Sequence, residues 1–226
     1  MTPTRKATFL DRLSSDHRSE LLALGRPRQL SRGDYLIREG WHGSEVVVIT
    51  AGWAKIVAVT SSGEEVVLGL RGPGDLAGEL AALDDVPGGR SASVQALTRV
   101  QAVSVPGDEF VSFLHTHSEA SVGLLREFIS RLRETSSRAV RHGTLDVPRH
   151  LAQLIIELAG RERDNPSGAV VIDLGLTQAD VAGLLSCSRD SVAKALATLR
   201  AEGLIITGRR TITIPSTARL NDFADG

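Results

Sequence analysis

"LTQADVAGLLSCSRDSVAKALATLRAEGLIITGRRTITIP", Leu176 to Pro215, holds two helix starts, a tight turn and a strand pair in one short span. Thr177 with Asp180 forms a capping-box variant, which starts a short helix over Gln178–Leu185. "SCS" makes a tight turn, and Ser188 caps a second helix that runs to about Glu202, where Gly203 stops it. Val181, Leu184, Val192, Leu196 and Leu199 then face a common core, which leaves Arg189, Asp190, Ser191 and Lys194 on the outer face. "LIITGRRTITI" completes the unit as a two-strand wing turning at Gly208–Arg209. The pattern predicts a winged helix–turn–helix, in which the N-terminal end of the second helix is offered to base edges in the major groove. Arg189 and Lys194 suit guanine O6 and N7, and Asp190 suits a cytosine amino group. Thr177, Gln178, Ser188, Arg209 and Arg210 suit backbone phosphates. Similar apolar spacing also fits any three-helix packing with a polar exterior, so the wing and the helix before it carry the assignment.

Upstream, "LDVPRHL" (Leu145 to Leu151) interrupts helical geometry, because the residue before a proline is pushed out of the α region. A domain boundary belongs there. It is followed by an amphipathic helix, "RHLAQLIIELAGRE", a polar loop, "RERDNPSG", and a short strand, "AVVID". Before it, "SEASVGLLREFISRLRETSSRAVRHGTL" runs for well over twenty residues without a proline. Its apolar set is Val122, Leu125, Phe128 (or Ile129), Leu132 and Ala139, with Leu124 beside them. That stripe fits either the chain's own barrel or the seam of a dimer, and the helix's length favours the seam. "GDEFVSFLHTH" supplies a shorter helix ahead of it, with Asp108 near its start.

From about Leu30 to Pro106 the texture changes to short β-branched runs every eight to twelve residues, punctuated by glycine. A small antiparallel barrel or jelly roll follows from that texture. The expected architecture is α+β: an N-terminal β-barrel or jelly-roll domain (1–118), a long dimerisation helix (119–145) and a C-terminal winged helix–turn–helix (146–226).

Composition, at 42% hydrophobic and 23% charged, is that of an ordinary globular protein. A net charge of −1 argues against indiscriminate polyanion binding but leaves room for a local basic surface. Nothing resembles a membrane span or a secretory leader. Cys187 is the only cysteine, so neither an intrachain disulfide nor a thiolate cluster for zinc or iron–sulfur is available. The expected location is cytoplasmic, with no membrane partner.

"GELAALDDVPGGRSA", Gly78 to Ala92, reads as a turn rather than a helix. It sets Glu79 eleven positions before Arg90, with Ser91 directly after. An acid at one end and a guanidinium plus hydroxyl at the other suit an active site, or a small ligand carrying hydroxyls and a phosphate.

A glycine-punctuated barrel, a long helix and then "CSRDSVAKAL" resemble the cAMP receptor protein/FNR family of bacterial transcription regulators, over about Leu10 to Pro215. The resemblance makes "GEL" and "RSA" a phosphate-binding cassette. Glu79 would accept from the ribose 2′-hydroxyl, Arg90 would pair with the cyclic phosphate and Ser91 would add a donor. N–H groups near Gly78, Leu80 and Ala81 would complete an anion cradle. "RLRETSS" resembles the family's base-reading pair, with Thr135 from one subunit, Ser136 from the other and Arg131 nearby. An exposed polar helix step is the plainer reading of Thr135–Ser136. The resemblance thus implies a homodimer that binds cAMP as effector, has no cofactor and recognises a palindromic double-stranded operator. Ligand binding would bias the hinge at Asp146–Pro148, and the loop Arg161–Gly168 is a candidate contact for RNA polymerase.

The chain also departs from the family. Asp84–Asp85 put negative charge near the phosphate, Trp41 and Trp53 occupy barrel turns, Asp190 replaces a common glutamate, and Ser186 stands where glycine is common. Rival readings remain. His115, His117 and Glu119 could serve a metal cupin, although they lie beyond the barrel strands and lack a third histidine. No Gly-x-Ser-x-Gly elbow supports a hydrolase, and a non-enzymatic chain is expected. A regulator that binds DNA constitutively or with another effector is the nearer rival.

Overall fold

The structure is a computed structural model that describes residues 7–60, 63, 65–84, 89–141, 146–160, 170–173, 175–208 and 211–225. The chain divides into two compact units at Thr135/Ser136.

The N-terminal unit opens with a 3₁₀ turn at Leu10–Arg12 and helix α1 (Ser15–Ala23), whose N-cap Ser14 accepts from the His17 N–H. Eight strands follow: β1 (Arg26–Leu30), β2 (Tyr35–Ile37), β3 (Val46–Ala51), β4 (Ala54–Val59), β5 (Glu65–Arg71), β6 (Leu76–Ala77), β7 (Ser93–Ala96) and β8 (Val100–Val105). Helix α2 (Glu79–Leu83) lies between β6 and β7, and α3 (Gly107–Thr116) and α4 (Ser118–Arg141) follow β8. The strands form two antiparallel four-stranded sheets, ordered β1-β8-β3-β6 and β2-β7-β4-β5. This is the jelly-roll architecture that the glycine-punctuated strands indicate.

The unit has two apolar clusters. One, with Leu36, Ile37, Ile49, Val94 and Ala102, fills the space between the sheets. The other joins Phe9, Leu21, Val46 and Leu76 to Phe110, Phe113, Ala120 and Leu124, and so fixes α1, α3 and the start of α4 against the β1-β8-β3-β6 sheet. Trp53 is buried where a Cβ on Gly72 would meet its ring at 2.9 Å, so it is a packing residue. Trp41 is 60% exposed, with the Arg38 guanidinium 5.6 Å from its ring centroid.

The C-terminal unit contains α5 (Val147–Ala159), β9 (Val170–Ile172), α6 (Gln178–Leu185), α7 (Arg189–Ala201), β10 (Ile206–Thr207), β11 (Ile212–Ile214) and α8 (Thr217–Asp225). Asp146 caps α5 with Pro148 in its first turn, and Leu151, Ala152, Ile155 and Leu158 make its buried face. The wing differs from the two-strand expectation. β11 pairs with both β10 and β9, so the strand read from "AVVID" joins the wing in a three-stranded sheet. The sequence reading also omits α8. Ser216 accepts from the Arg219 N–H at 3.3 Å, and the fully buried Leu220 anchors the helix.

Candidate functional site

The cassette is organised by one backbone position. Gly78 has φ 85°, and a Cβ there would meet Arg90 Nη1 at 2.6 Å, Ile37 Cδ1 at 2.7 Å and the Glu45 carbonyl at 2.9 Å. Only glycine fits that conformation beside a guanidinium. The segment after it corrects the turn assignment, since Glu79–Leu83 form α2 with Gly78 as N-cap. Glutamate, leucine and alanine are good helix formers, and the glycines and proline that suggest a turn begin only beyond Asp84.

Glu79 and Arg90, eleven positions apart in the sequence, are both buried here, at 3% and 8% exposure. Arg90 donates to the Gly78 carbonyl at 2.9 Å and the Glu45 carbonyl at 2.7 Å. Burial lowers its pKa, with Glu45 and Glu79 opposing. Its backbone pairs with the β2–β3 loop, Gly40 N–H to Arg90 O at 2.9 Å and Arg90 N–H to Trp41 O at 3.1 Å. Ser91 and Leu80 are exposed and Ala81 is half-buried. Asp84 is exposed, and Asp85 lies outside the described residues.

Arg131 does more than assist. It donates through Nη1 to Glu79 Oε1 and through Nη2 to Glu127 Oε1, and reaches the Leu76 carbonyl at 3.4 Å. Burial acts against its charge, but Glu79 and Glu127 raise its pKa overall. Burial raises the Glu127 pKa, with Arg131 opposing. Glu79 Oε2 and Glu127 Oε2 are buried without a hydrogen-bond partner among the described residues. Arg71 Nε donates to the same Leu76 carbonyl at 3.0 Å. Glu127 and Arg71 escaped the sequence reading; the available signal was an acid four positions before Arg131, the i,i+4 spacing of a helical ion pair.

On α4, Thr135 and Ser136 are exposed, and Thr135 Oγ1 donates to the Arg131 carbonyl at 3.0 Å. α4 separates two apolar faces. Ala120, Gly123, Leu124 and Glu127 are buried, whereas Val122, Leu125, Ile129 and Leu132 are 46%, 59%, 42% and 66% exposed. The single stripe read from the sequence is therefore split: Phe128 is half-buried toward the core, and Ile129 belongs to the outer set. The side chain of Ala139 lies outside the described residues.

At the other end of α4, the His17 and His117 rings lie tilted against each other with their centroids 4.1 Å apart. His17 pairs with Glu119 and His117, the C-cap of α3, with Glu20 at 3.0 Å, so His117 and Glu119 take part in a brace between α1 and the α3–α4 junction, while His115 is exposed. The His17 hydrogen bond, followed by the Ser14 N–H, lowers the Glu119 pKa. Among the described residues no group of three histidine, cysteine or acidic side chains is placed to hold a metal ion. Among them, too, no helix is long and apolar enough to cross a membrane.

The helix–turn–helix follows its sequence signals closely. Thr177 and Asp180 make a complete capping box, with Asp180 N–H to Thr177 Oγ1 at 3.1 Å and Thr177 N–H to Asp180 Oδ2 at 2.8 Å. Ser186 adopts αL at φ 52°, and is the one non-glycine residue with positive φ among those described. Ser188 caps α7 through the Ser191 N–H at 3.1 Å. Val192, Ala195 and Leu199 are buried, as are Ala182 and Leu184 on α6, while Val181 and Leu196 are half-buried. Arg189, Asp190 and Lys194 are exposed. Ser191 is a correction to the outer-face set: it is half-buried, with its hydroxyl 2.9 Å from Ser188 Oγ, because it serves the cap. Thr177 and Gln178 are exposed at the start of α6. Burial raises the Cys187 pKa in the turn. Arg209, Arg210 and the loop 161–168 lie outside the described residues.

Comparison with known proteins matches a cyclic nucleotide-binding domain over residues 27–117 and a Crp-like helix-turn-helix domain over 149–223. The chain is 34% identical over 195 residues to a CRP-like cAMP-activated global transcriptional regulator of Mycobacterium tuberculosis, covering 86% of each. FixK2 of Bradyrhizobium japonicum shares the fold, with a TM-score of 0.73 at 16% identity, covering 88% of this chain and 96% of that one. So does the c-di-GMP responsive global regulator CLP of Xanthomonas campestris, with a TM-score of 0.70 at 20% identity, covering 89% and 99%.

Proposed function

This chain belongs to the cAMP receptor protein/FNR family, and from that premise we propose that it is a homodimer whose affinity for DNA is controlled by cAMP. Membership makes it a DNA-binding transcription regulator with a cyclic nucleotide-binding domain. The observation that carries the effector assignment is the buried juxtaposition of Glu79 and Arg90 around Gly78. A ribose hydroxyl needs an acceptor, and Glu79 Oε2 is a buried acceptor without a partner among the described residues. A phosphate needs a cation, and Arg90 donates only to neutral carbonyls among the contacts described. Ser91 adds a hydroxyl, and the N–H groups near Gly78, Leu80 and Ala81 complete the cradle. Thr135 of one subunit and Ser136 of the other read the base. The M. tuberculosis relative is named as cAMP-activated, which supports this effector.

The dimer assignment is supported by the outer stripe of α4. Val122, Leu125, Ile129 and Leu132 recur at 3-4-3 spacing, the pattern of a coiled-coil seam, and all four are exposed. We propose three functional segments: a nucleotide domain (1–118), a dimerisation helix (119–145) and a DNA-binding domain (146–226). Arg189, Asp190 and Lys194 read base edges. Thr177, Gln178, Ser188 and Arg209 hold phosphates, and Ser191 contributes by fixing the cap. A two-fold dimer then reads half-sites about one helical turn apart. The 161–168 loop is the segment we assign to RNA polymerase, and the protein acts in the cytoplasm.

Calorimetric titration with cAMP, and cGMP as comparator, tests the effector assignment. Tight cAMP binding and much weaker cGMP binding are expected. Equal binding of both removes the base-reading role of Thr135 and Ser136. No heat with either removes cAMP control, and leaves a constitutive regulator or one with a different effector, such as the dinucleotide named for the X. campestris relative.

A further inference from the structure

Guanidinium groups near the cassette are neutralised to different degrees. Arg90 donates to two backbone carbonyls, at 2.9 and 2.7 Å, and has no carboxylate in contact among the described residues. Arg131 is forked between two carboxylates, Glu79 on α2 and Glu127 one turn earlier on α4. Anchoring Glu79 does not require the second carboxylate, because Arg131 Nη2 also reaches the Leu76 carbonyl. A second buried acid is unfavourable unless it is paired, and Glu127 is 7% exposed with Oε2 lacking a partner among the described residues. Its presence therefore calls for a role beyond anchoring Arg131.

Charge balance supplies that role. Arg71 donates to the Leu70 and Leu76 carbonyls, and feels Asp75, Glu79 and Glu127. Asp75 accepts from the Gly72 N–H at 2.8 Å. Arg71, Arg131, Asp75, Glu79 and Glu127 together carry two positive and three negative charges, a net of −1. Arg90 and Glu45, the carboxylate that acts most strongly on it, add one charge of each sign and leave the surroundings of the pocket at −1. Without Glu127 the same set would stand at zero.

We infer that Glu127 sets the charge selectivity of the pocket: by cancelling Arg131 it admits a nucleotide with one phosphate charge and disfavours a dianionic phosphate monoester. It acts through Arg131 and is a positioning residue. The inference rests on the reading that the Glu79–Arg90 cassette takes a cyclic nucleotide. Coulomb energy scales with ligand charge, so loss of one negative charge helps a dianion about twice as much, in free energy, as a monoanion. At pH 7.5 cAMP carries one charge, and 5′-AMP carries close to two because its second phosphate pKa is about 6.

The test is calorimetric titration of the full chain, and of Glu127→Gln and Glu127→Asp, with cAMP and 5′-AMP. The ratio of 5′-AMP to cAMP affinity is expected to rise about tenfold in Glu127→Gln and to stay near the parent value in Glu127→Asp, which keeps the charge. If Glu127→Gln does not fold, Glu127→Leu makes the same charge change without a polar group to satisfy. An unchanged ratio, or an equal loss of affinity for both nucleotides, overturns the inference and leaves Glu127 as a structural brace. If the parent protein binds cAMP, that result spares the proposed function. If the parent binds neither nucleotide, both fall together.

Discussion

Glu79 and Arg90 sit inside the N-terminal unit, 3% and 8% exposed, whereas Arg189, Asp190 and Lys194 stand exposed around the first turns of α7. The first pair is held by an arginine fork and by backbone carbonyls. The second set makes no hydrogen bond or ion pair through its side chains among the described residues. Interior charges have already lost their water and been given partners during folding, so a ligand meets a preformed arrangement. Exposed charges keep their water and are ordered only by DNA. Substitution inside should therefore disturb ligand binding, and substitution outside should disturb DNA binding alone.

The largest effect is expected at Arg90. Arg90→Ala removes a buried charge-assisted contact and should cost about 2–5 kcal/mol of cAMP binding, read by calorimetry, while the circular dichroism spectrum stays native. Unchanged cAMP affinity would break the pocket assignment. Next is the α4 stripe, which is exposed in one chain and interior in the proposed dimer. Leu132→Asp should cost about 2 kcal/mol or more of association, read by sedimentation; a variant that stays dimeric would move the seam elsewhere. Arg189→Ala should lose about 1–3 kcal/mol at one base pair of each half-site, with nucleotide affinity unaltered. Equal loss on random DNA would make Arg189 a phosphate contact. Thr177→Ala removes half of the capping box and should cost about 1 kcal/mol of stability, again without touching cAMP affinity.

A smaller, pH-dependent effect sharpens the contrast. Burial raises the Glu127 pKa above its ordinary 4.5, so the folded chain holds that proton more readily than the unfolded chain. The stability from this group is fully present below pH 4.5 and is lost as pH rises from there through the folded value. Urea melts across that range should show a fall in stability for the parent protein that Glu127→Gln lacks. No difference between the two would remove the effect of burial on this acid.

The same division explains what could be read from the sequence. The DNA-reading segment was legible because its signals are local: Thr177 and Asp180 are three residues apart, as are Ser188 and Ser191, and α6 begins and ends where those signals place it. The β-domain was legible as a class through its glycines and β-branched runs. Its pairing, with β8 between β1 and β3, depends on contacts far apart in sequence. Glu79 and Arg90 could be singled out by residue type and by resemblance, but the fork on Arg131 could not. It needs α4 laid against α2, and only the fold brings Glu127 and Glu79 to one guanidinium. α2 itself was hidden by the glycines that follow it. α8 was missed because one serine cap and a buried Leu220 are weak signals in so short a helix.

The most direct test of cAMP control is the affinity of the full chain for DNA selected from a random pool, measured by fluorescence anisotropy with and without saturating cAMP. Saturating cAMP is expected to tighten binding by about 5–150-fold, the range of an ordinary allosteric coupling. Equal affinity in both conditions would contradict cAMP control.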